Sequence, residues 1–174
     1  GVGNTGGVGD FVADTKFSRD RGVYDAPFDL EITCATAGAS IRYTTNGASP
    51  TATTGFAYGG PVRISRSTVI RAAAFRTGLQ PSNVDTHTYL FPSDVVRQQP
   101  AGQVPWSEWP TPGTQAQDYD YGMDARIVDS PIYASQMVPA LKALPTLSMV
   151  TTLSNLFNGA NGIYSNPGQD GRPW

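Results

Sequence analysis

The sequence predicts a mainly β fold made of two packed antiparallel sheets, and three observations support this prediction. Residues 28–34 alternate between apolar and polar side chains, as a strand with one wet face does. Residues 40–45 alternate in the same way and lead into Asn46-Gly47, a dipeptide typical of tight turns. The chain of 174 residues holds 19 glycines and 14 prolines but only 15% charged residues, which favours turns and strands over long helices.

The remaining strand signals follow at short intervals. We expect strands at residues 11–17, 28–34, 40–45, 62–64, 68–75 and 83–91, with glycine- and proline-containing turns between them. The strand at 68–75 places Ile70, Ala72 and Ala74 on one face, and such small side chains indicate a close approach of two sheets. Together these signals predict an immunoglobulin-like or fibronectin III-like β-sandwich over residues 14–91.

The chain changes character outside this range. Residues 1–13 are predicted to be a flexible, glycine-rich leader, and residues 92–130 an irregular linker rich in proline and tryptophan. Residues 131–174 are expected to form a small α/β extension. Within it, residues 131–144 predict a helix with Ser130 as N-cap and Pro139 as a kink or interruption, and residues 147–151 predict a buried strand.

Part of the sandwich region resembles a known family. The resemblance rests on Arg42–Thr51 (RYTTNGASPT), Tyr58–Pro61 (YGGP) and Val69–Phe75 (VIRAAAF), which occur in the expected order. These elements are similar to the chitobiase/β-hexosaminidase C-terminal-type domain, a fibronectin III-like accessory module of bacterial surface and secreted proteins. The resemblance implies an architecture and an exported, extracellular or cell-surface location. It brings no catalytic residues with it.

The second half has a resemblance of its own. Residues 118–124 (DYDYGMD), 143–150 (ALPTLSMV), 156–157 (LF) and 162–164 (GIY) look like the N-terminal segment of the CotH, or spore coat protein H, family, whose members have an atypical kinase fold. The resemblance implies that residues 131–174 begin a truncated CotH-like domain of a larger bacterial protein. The catalytic motifs of that fold would lie downstream, so none is assigned here.

Charge and cysteine content exclude several classes of function. The net charge of −2 gives no basic footprint for nucleic acid, and no apolar run has the length of a membrane span. The one cysteine, Cys34, cannot form an internal disulfide and shares strand parity with Phe28, Leu30 and Ile32, so we expect a buried core thiol. His87 is expected to be a strand histidine with local hydrogen bonds, because no nucleophile motif accompanies it.

Four aspartates give the only metal-like pattern. Asp118, Asp120, Asp124 and Asp129 stand at positions 1, 3, 7 and 12 of a calcium-loop template, and carboxylates are ligands that calcium prefers. The template lacks its central glycine and its terminal glutamate. Two interpretations therefore stay open, a calcium site and a solvated acidic turn, and no other cofactor is expected.

Three aromatic residues are candidates for carbohydrate binding. Trp106, Trp109 and Tyr58 could offer flat apolar faces on which sugar rings stack. The alternative is that the two tryptophans are buried and anchor a linker that has few regular hydrogen bonds of its own.

The sequence therefore predicts a non-catalytic structural or interaction module, not an enzyme. Its partners would be a downstream domain of the same polypeptide or another protein subunit, which it would space, orient or attach. Two alternatives remain: a carbohydrate-binding accessory module with polysaccharide as its ligand, and part of an atypical kinase that is inactive without its downstream motifs.

Overall fold

A computed structural model describes residues 10–98, 122–158, 160 and 162–163. The strands are β1 (Thr15–Phe17), β2 (Gly22–Val23), β3 (Phe28–Leu30), β4 (Ile32–Cys34), β5 (Ser40–Thr44), β6 (Phe56–Ala57), β7 (Val62–Ile64), β8 (Thr68–Phe75) and β9 (Asp85–Leu90). The helices are α1 (Pro92–Val95), α2 (Ala125–Val128), α3 (Ala134–Ala143) and α4 (Leu153–Phe157). In these ranges no helix combines the length and the hydropathy of a membrane span.

The strands form a β-sandwich, which confirms the predicted fold class. One layer is a five-stranded sheet in the order β2-β9-β8-β5-β6. The other layer combines the pairs β1-β4 and β3-β7, because β3 and β4 are one stretch of chain interrupted only at Glu31. All pairs are antiparallel except β2 with β9, where the chain has moved from one layer to the other.

The hydrophobic core lies between the two layers. Leu30, Ile32 and Ile64 enter it from one sheet, while Ile70 and Tyr89 enter it from the other, and each is at most 2% exposed. The polar residues that alternate with the apolar ones in β3 and β4 are exposed, as expected for one wet face. The alternation of apolar and polar residues in the sequence therefore matches the alternation of buried and exposed side chains in these strands.

Cys34 departs from its predicted burial. It is half-buried, and its thiol donates to the Ala13 carbonyl at 3.1 Å and accepts from the Thr36 amide at 3.4 Å. Cys34 is the last residue of β4, where it pairs with Thr15 of the short strand β1. The prediction of a core thiol is wrong in burial, although Cys34 does keep the strand parity of Ile32.

The C-terminal part is less regular than predicted. The helix begins at Ala134, three residues later than expected, because Ser130 closes a turn instead: its side chain accepts from the Ile132 amide at 3.2 Å, and its carbonyl accepts from the Ala134 amide at 2.9 Å. Pro139 lies inside α3. The predicted strand at 147–151 is wrong, since Leu147 is 84% exposed and Met149 is 86% exposed.

Candidate interaction surface

A later part of the chain lies against the outer face of the five-stranded sheet at β9. We call residues 145–151 the crossing segment. Thr146, Ser148 and Val150 line a cavity with Thr86 and Thr88 of β9, so the even-numbered residues of the segment are turned toward the sheet. The hydroxyls of Ser148 and Thr88 are 2.7 Å apart, a hydrogen-bond distance. Leu147 and Met149 occupy the alternate positions and are strongly exposed, although Met149 also lines a second cavity, beside the Asn46-Gly47 turn.

The Asn46-Gly47 turn makes the closest contact with the crossing segment. Gly47 has φ of 79°, a left-handed conformation that glycine adopts without strain. A Cβ atom built on Gly47 would lie 2.4 Å from the Thr151 carbonyl oxygen, so the two backbones meet where no side chain fits. The predicted turn is therefore present, and it also contacts the C-terminal part of the chain.

Arg71 ties this turn to the sheet. Its Nη1 donates to the Gly47 carbonyl at 2.8 Å and its Nε donates to the Thr86 hydroxyl at 3.2 Å. These two bonds connect the turn after β5 with β9, across the outer face of β8. The surface on which the crossing segment lies is thus fixed by hydrogen bonds within the sandwich.

Two ion pairs join the helical part to the sandwich region at other points. Lys142 of α3 contacts Asp25 with 2.5 Å between Nζ and Oδ1, and Arg97 pairs with Asp129. All four side chains are substantially exposed, so each pair contributes little stability by itself. The two pairs connect segments of the chain that are far apart in the sequence.

Shallow cavities remain on both sides of the crossing segment. One of about 420 Å³ lies toward β2 and β9 and includes Arg21 and Leu90. Another, of about 670 Å³, lies toward the Asn46-Gly47 turn and includes Arg66, Val69 and Leu156. Both mix charged, hydroxyl and apolar side chains.

Tyr58 is the one predicted sugar-stacking residue within the described part of the chain. It is half-buried, packs against the core, and accepts a hydrogen bond of 3.0 Å from the Ile32 amide through its hydroxyl. The donor, Ile32, is the first residue of β4 and directly follows the interruption at Glu31. The geometry therefore gives Tyr58 a structural role. Trp106 and Trp109 lie outside the described residues, and the carbohydrate-binding prediction for the three stays a prediction.

The aspartates of the calcium template fall into two groups. Asp118 and Asp120 lie outside the described residues. Asp124 is the N-cap of α2, where its carboxylate accepts from the Arg126 amide at 2.8 Å and pairs with the Arg126 side chain, which lowers the pKa of Asp124. Asp129 pairs with Arg97. Among the described residues no three His, Cys, Asp or Glu side chains group as metal ligands, and the calcium site stays a prediction.

His87 has the local environment that its strand position predicts. Its ring stacks on Phe17 with centroids 4.2 Å apart and planes inclined by 9°, and its Nδ1 lies 3.4 Å from the Tyr89 hydroxyl. Burial lowers the pKa of His87, against opposing effects of the Arg19 backbone and of the carboxylates of Asp20 and Asp85. Burial also raises the pKa of Tyr89, whose hydroxyl donates to the Arg19 carbonyl at 3.0 Å.

One part of the sandwich is similar to a known family. Residues 20–86 match the family model of the chitobiase/beta-hexosaminidase C-terminal domain. The matched range runs from the segment before β2 into β9 and confirms that part of the predicted resemblance. No curated protein and no solved structure matches the chain. The predicted resemblance of the second half to CotH proteins receives no support.

Sequence reasoning missed two features of the structure. It assigned residues 147–151 to a buried strand and did not place them over the outer face of β9. It also passed over Phe56, which the structure leaves 59% exposed on β6. A signal for the first was present in Thr146–Val150, where hydroxyl and apolar residues alternate before the final valine.

Proposed function

We propose that this protein is a non-catalytic structural module whose sandwich fixes the direction of the polypeptide on its C-terminal side. One observation supports this most directly: the Gly47 turn and Thr88 contact the crossing segment at two separate points. Two separate contacts define a direction, whereas one would leave a hinge. The function is then to space or attach a further domain of the same protein or another subunit.

The setting we propose is that of an exported bacterial protein with several domains. The match of residues 20–86 to a carbohydrate-associated family of β-sandwich modules supports this setting.

The ring of His87 packs on Phe17 and its Nδ1 faces Tyr89, which supports a structural role for the one histidine of the chain.

Residual dipolar couplings measured by NMR test the proposal. If the sandwich directs the following segment, couplings from residues 15–90 and from residues 125–151 fit one alignment tensor in the intact chain. Two independent tensors would show that the segment reorients freely, and would overturn the proposed function.

The second candidate function is that of a carbohydrate-binding accessory module. The match to a domain of chitobiases and β-hexosaminidases favours it. Retention of the intact chain on insoluble chitin and cellulose tests it, with the Trp106→Ala/Trp109→Ala variant alongside. Loss of retention at unchanged stability supports the two tryptophans as ligand contacts, while a loss of thermal stability by several degrees indicates packing anchors.

A further inference from the structure

A third cavity lies at the tip of the sandwich, beyond the end of β5, and it shares Thr45 and Asn46 with the cavity beside the Asn46-Gly47 turn. It measures about 500 Å³, within the usual range of about 300–1,000 Å³ for small-molecule sites. Its walls include Thr44, Thr45, Asn46, Ser49, Thr54 and Phe56, and every residue that lines it is uncharged. Both cavities beside the crossing segment include an arginine, so this one differs in chemistry.

Phe56 presents an aromatic ring at this cavity. The side chain is 59% exposed, although β6 is paired with β5 so that Phe56 stands opposite Tyr43. The two rings are 5.4 Å apart and inclined by 36°, which gives the exposed ring support on one side. An aromatic side chain held in this way offers a flat apolar surface at little cost in conformational entropy.

The loop between β5 and β6 is fixed by its own hydrogen bonds. The Thr51 hydroxyl accepts from the Thr54 amide at 3.0 Å and lies 2.8 Å from the Thr54 hydroxyl. Arg42 donates from Nη1 to the Gly55 carbonyl at 3.0 Å, which holds the end of the loop beside Phe56. The cavity wall is therefore formed before any ligand arrives.

Several polar groups on this wall are available to a ligand. Within the described ranges, the hydroxyls of Thr45 and Ser49 make no hydrogen bond to the protein, and both residues are exposed. Asn46 uses its Oδ1 to accept from the Ala48 amide at 3.1 Å, which leaves its side-chain NH₂ as a donor. These groups can bond to a ligand that carries both donors and acceptors.

We propose that this tip binds a neutral carbohydrate, with one sugar ring against Phe56 and its hydroxyls bonded to Asn46, Thr45 and Ser49. A sugar combines an apolar C–H face with a rim of hydroxyls, which is the pairing that this wall offers. A charged ligand would find no counter-charge in the lining, and an apolar one would leave the hydroxyls unpaired. The proposal rests on the carbohydrate-binding alternative and deepens it by naming a site.

Two variants and one control test the site in the intact chain, by retention on insoluble chitin, cellulose and β-1,3-glucan. Phe56→Ala is expected to weaken retention on at least one of these about tenfold, the effect of one aromatic contact. Phe56→Trp enlarges the stacking surface and is expected to strengthen it. Phe11→Ala is the matched control, because Phe11 is 63% exposed and lies in a bridge to Gln80, outside this cavity.

The outcomes separate this site from the other proposals. The site is overturned if the wild-type chain is retained on none of the three polymers, or if Phe56→Ala and Phe11→Ala bind alike. Retention that depends on Trp106 and Trp109 but not on Phe56 would overturn this site and leave the carbohydrate-binding function standing. The dipolar couplings of the Phe56→Ala chain report separately on the structural role.

Discussion

Gly47 is the residue at which local and long-range requirements coincide. The turn after β5 needs a positive φ, and the crossing segment needs the space that a side chain would occupy. Sequence reasoning could predict the first requirement from Asn46-Gly47. It could not predict the second, because Thr151 lies more than a hundred residues further along the chain.

Two glycine variants separate these requirements. Gly78 also has a positive φ, of 85°, but a Cβ there would meet no atom within 4 Å. We expect Gly78→Ala to lower the free energy of unfolding by about 1 kcal/mol, through backbone strain alone. Gly47→Ala should cost more, and it alone should speed amide hydrogen exchange at residues 147–151. Equal costs and equal exchange would contradict the contact with Thr151.

Tyr58→Phe tests the structural role of that hydroxyl. Removing it leaves the Ile32 amide without its acceptor in a residue that is 2% exposed, so we expect a loss of about 1–3 kcal/mol in chemical denaturation. Tyr133→Phe is the control, because Tyr133 is 48% exposed. If both variants unfold like the wild type, the Tyr58 hydroxyl does not close the strand interruption.

The lowered pKa of His87 predicts that the stability of the protein depends on pH. Its pKa in the folded chain lies below the ordinary value of 6.5, so around that pH the unfolded chain binds more protons than the folded one. The free energy of unfolding should therefore fall as the pH drops through about 6.5, before the carboxylates titrate.

Denaturation at several pH values checks this prediction, and NMR titration of the one histidine gives its pKa directly. His87→Phe retains an aromatic ring against Phe17 and should remove the slope between about pH 5 and 6.5. A slope that persists in this variant, or a titration midpoint above 6.5, would contradict the buried environment of the ring.

Among the elements, the longer strands were easier to predict from the sequence than the two-residue strands. The alternation in 28–34 and the apolar β8 are local signals, and both gave strands with the expected inward faces. β2 and β6 have two residues each and carry no periodicity, so their places beside β9 and β5 follow only from tertiary packing. The apolar residues of the crossing segment suggested a strand. The segment instead contacts the outer face of β9, which lies earlier in the chain.

Helix α3 is an element with little tertiary support. None of its residues is buried, and Pro139 lies inside it, where it cannot donate to the Ser135 carbonyl. We expect Pro139→Ala to increase the protection of α3 from hydrogen exchange, by up to about 3 kcal/mol in opening free energy. Pro145→Ala, outside the helix, serves as the control. Unchanged protection in Pro139→Ala would mean that packing, not backbone hydrogen bonding, limits this helix.

At the scale of the whole molecule, the sequence predicts the class of the sandwich. It does not predict how the later segments are arranged against it. Sandwich strands have inner faces that repeat every second residue, so composition and alternation reveal them. The contacts of Ser148 with Thr88 and of Lys142 with Asp25 join exposed side chains far apart in the chain, and such pairs leave no pattern. Phe56 was missed for a related reason, since its exposure depends on its place at the sheet edge.

A pair of cysteines across the sheet face tests directly whether the sandwich holds the crossing segment in place. Ser148 and Thr88 have side-chain oxygens 2.7 Å apart, so the pair Thr88→Cys with Ser148→Cys should form a disulfide rapidly under mild oxidation. The pair Thr88→Cys with Leu147→Cys moves one thiol to the solvent side and should not. Mass spectrometry of the oxidised chains reads out both. Equal cross-linking of the two pairs, or none in either, would show that the sandwich does not hold the crossing segment in place.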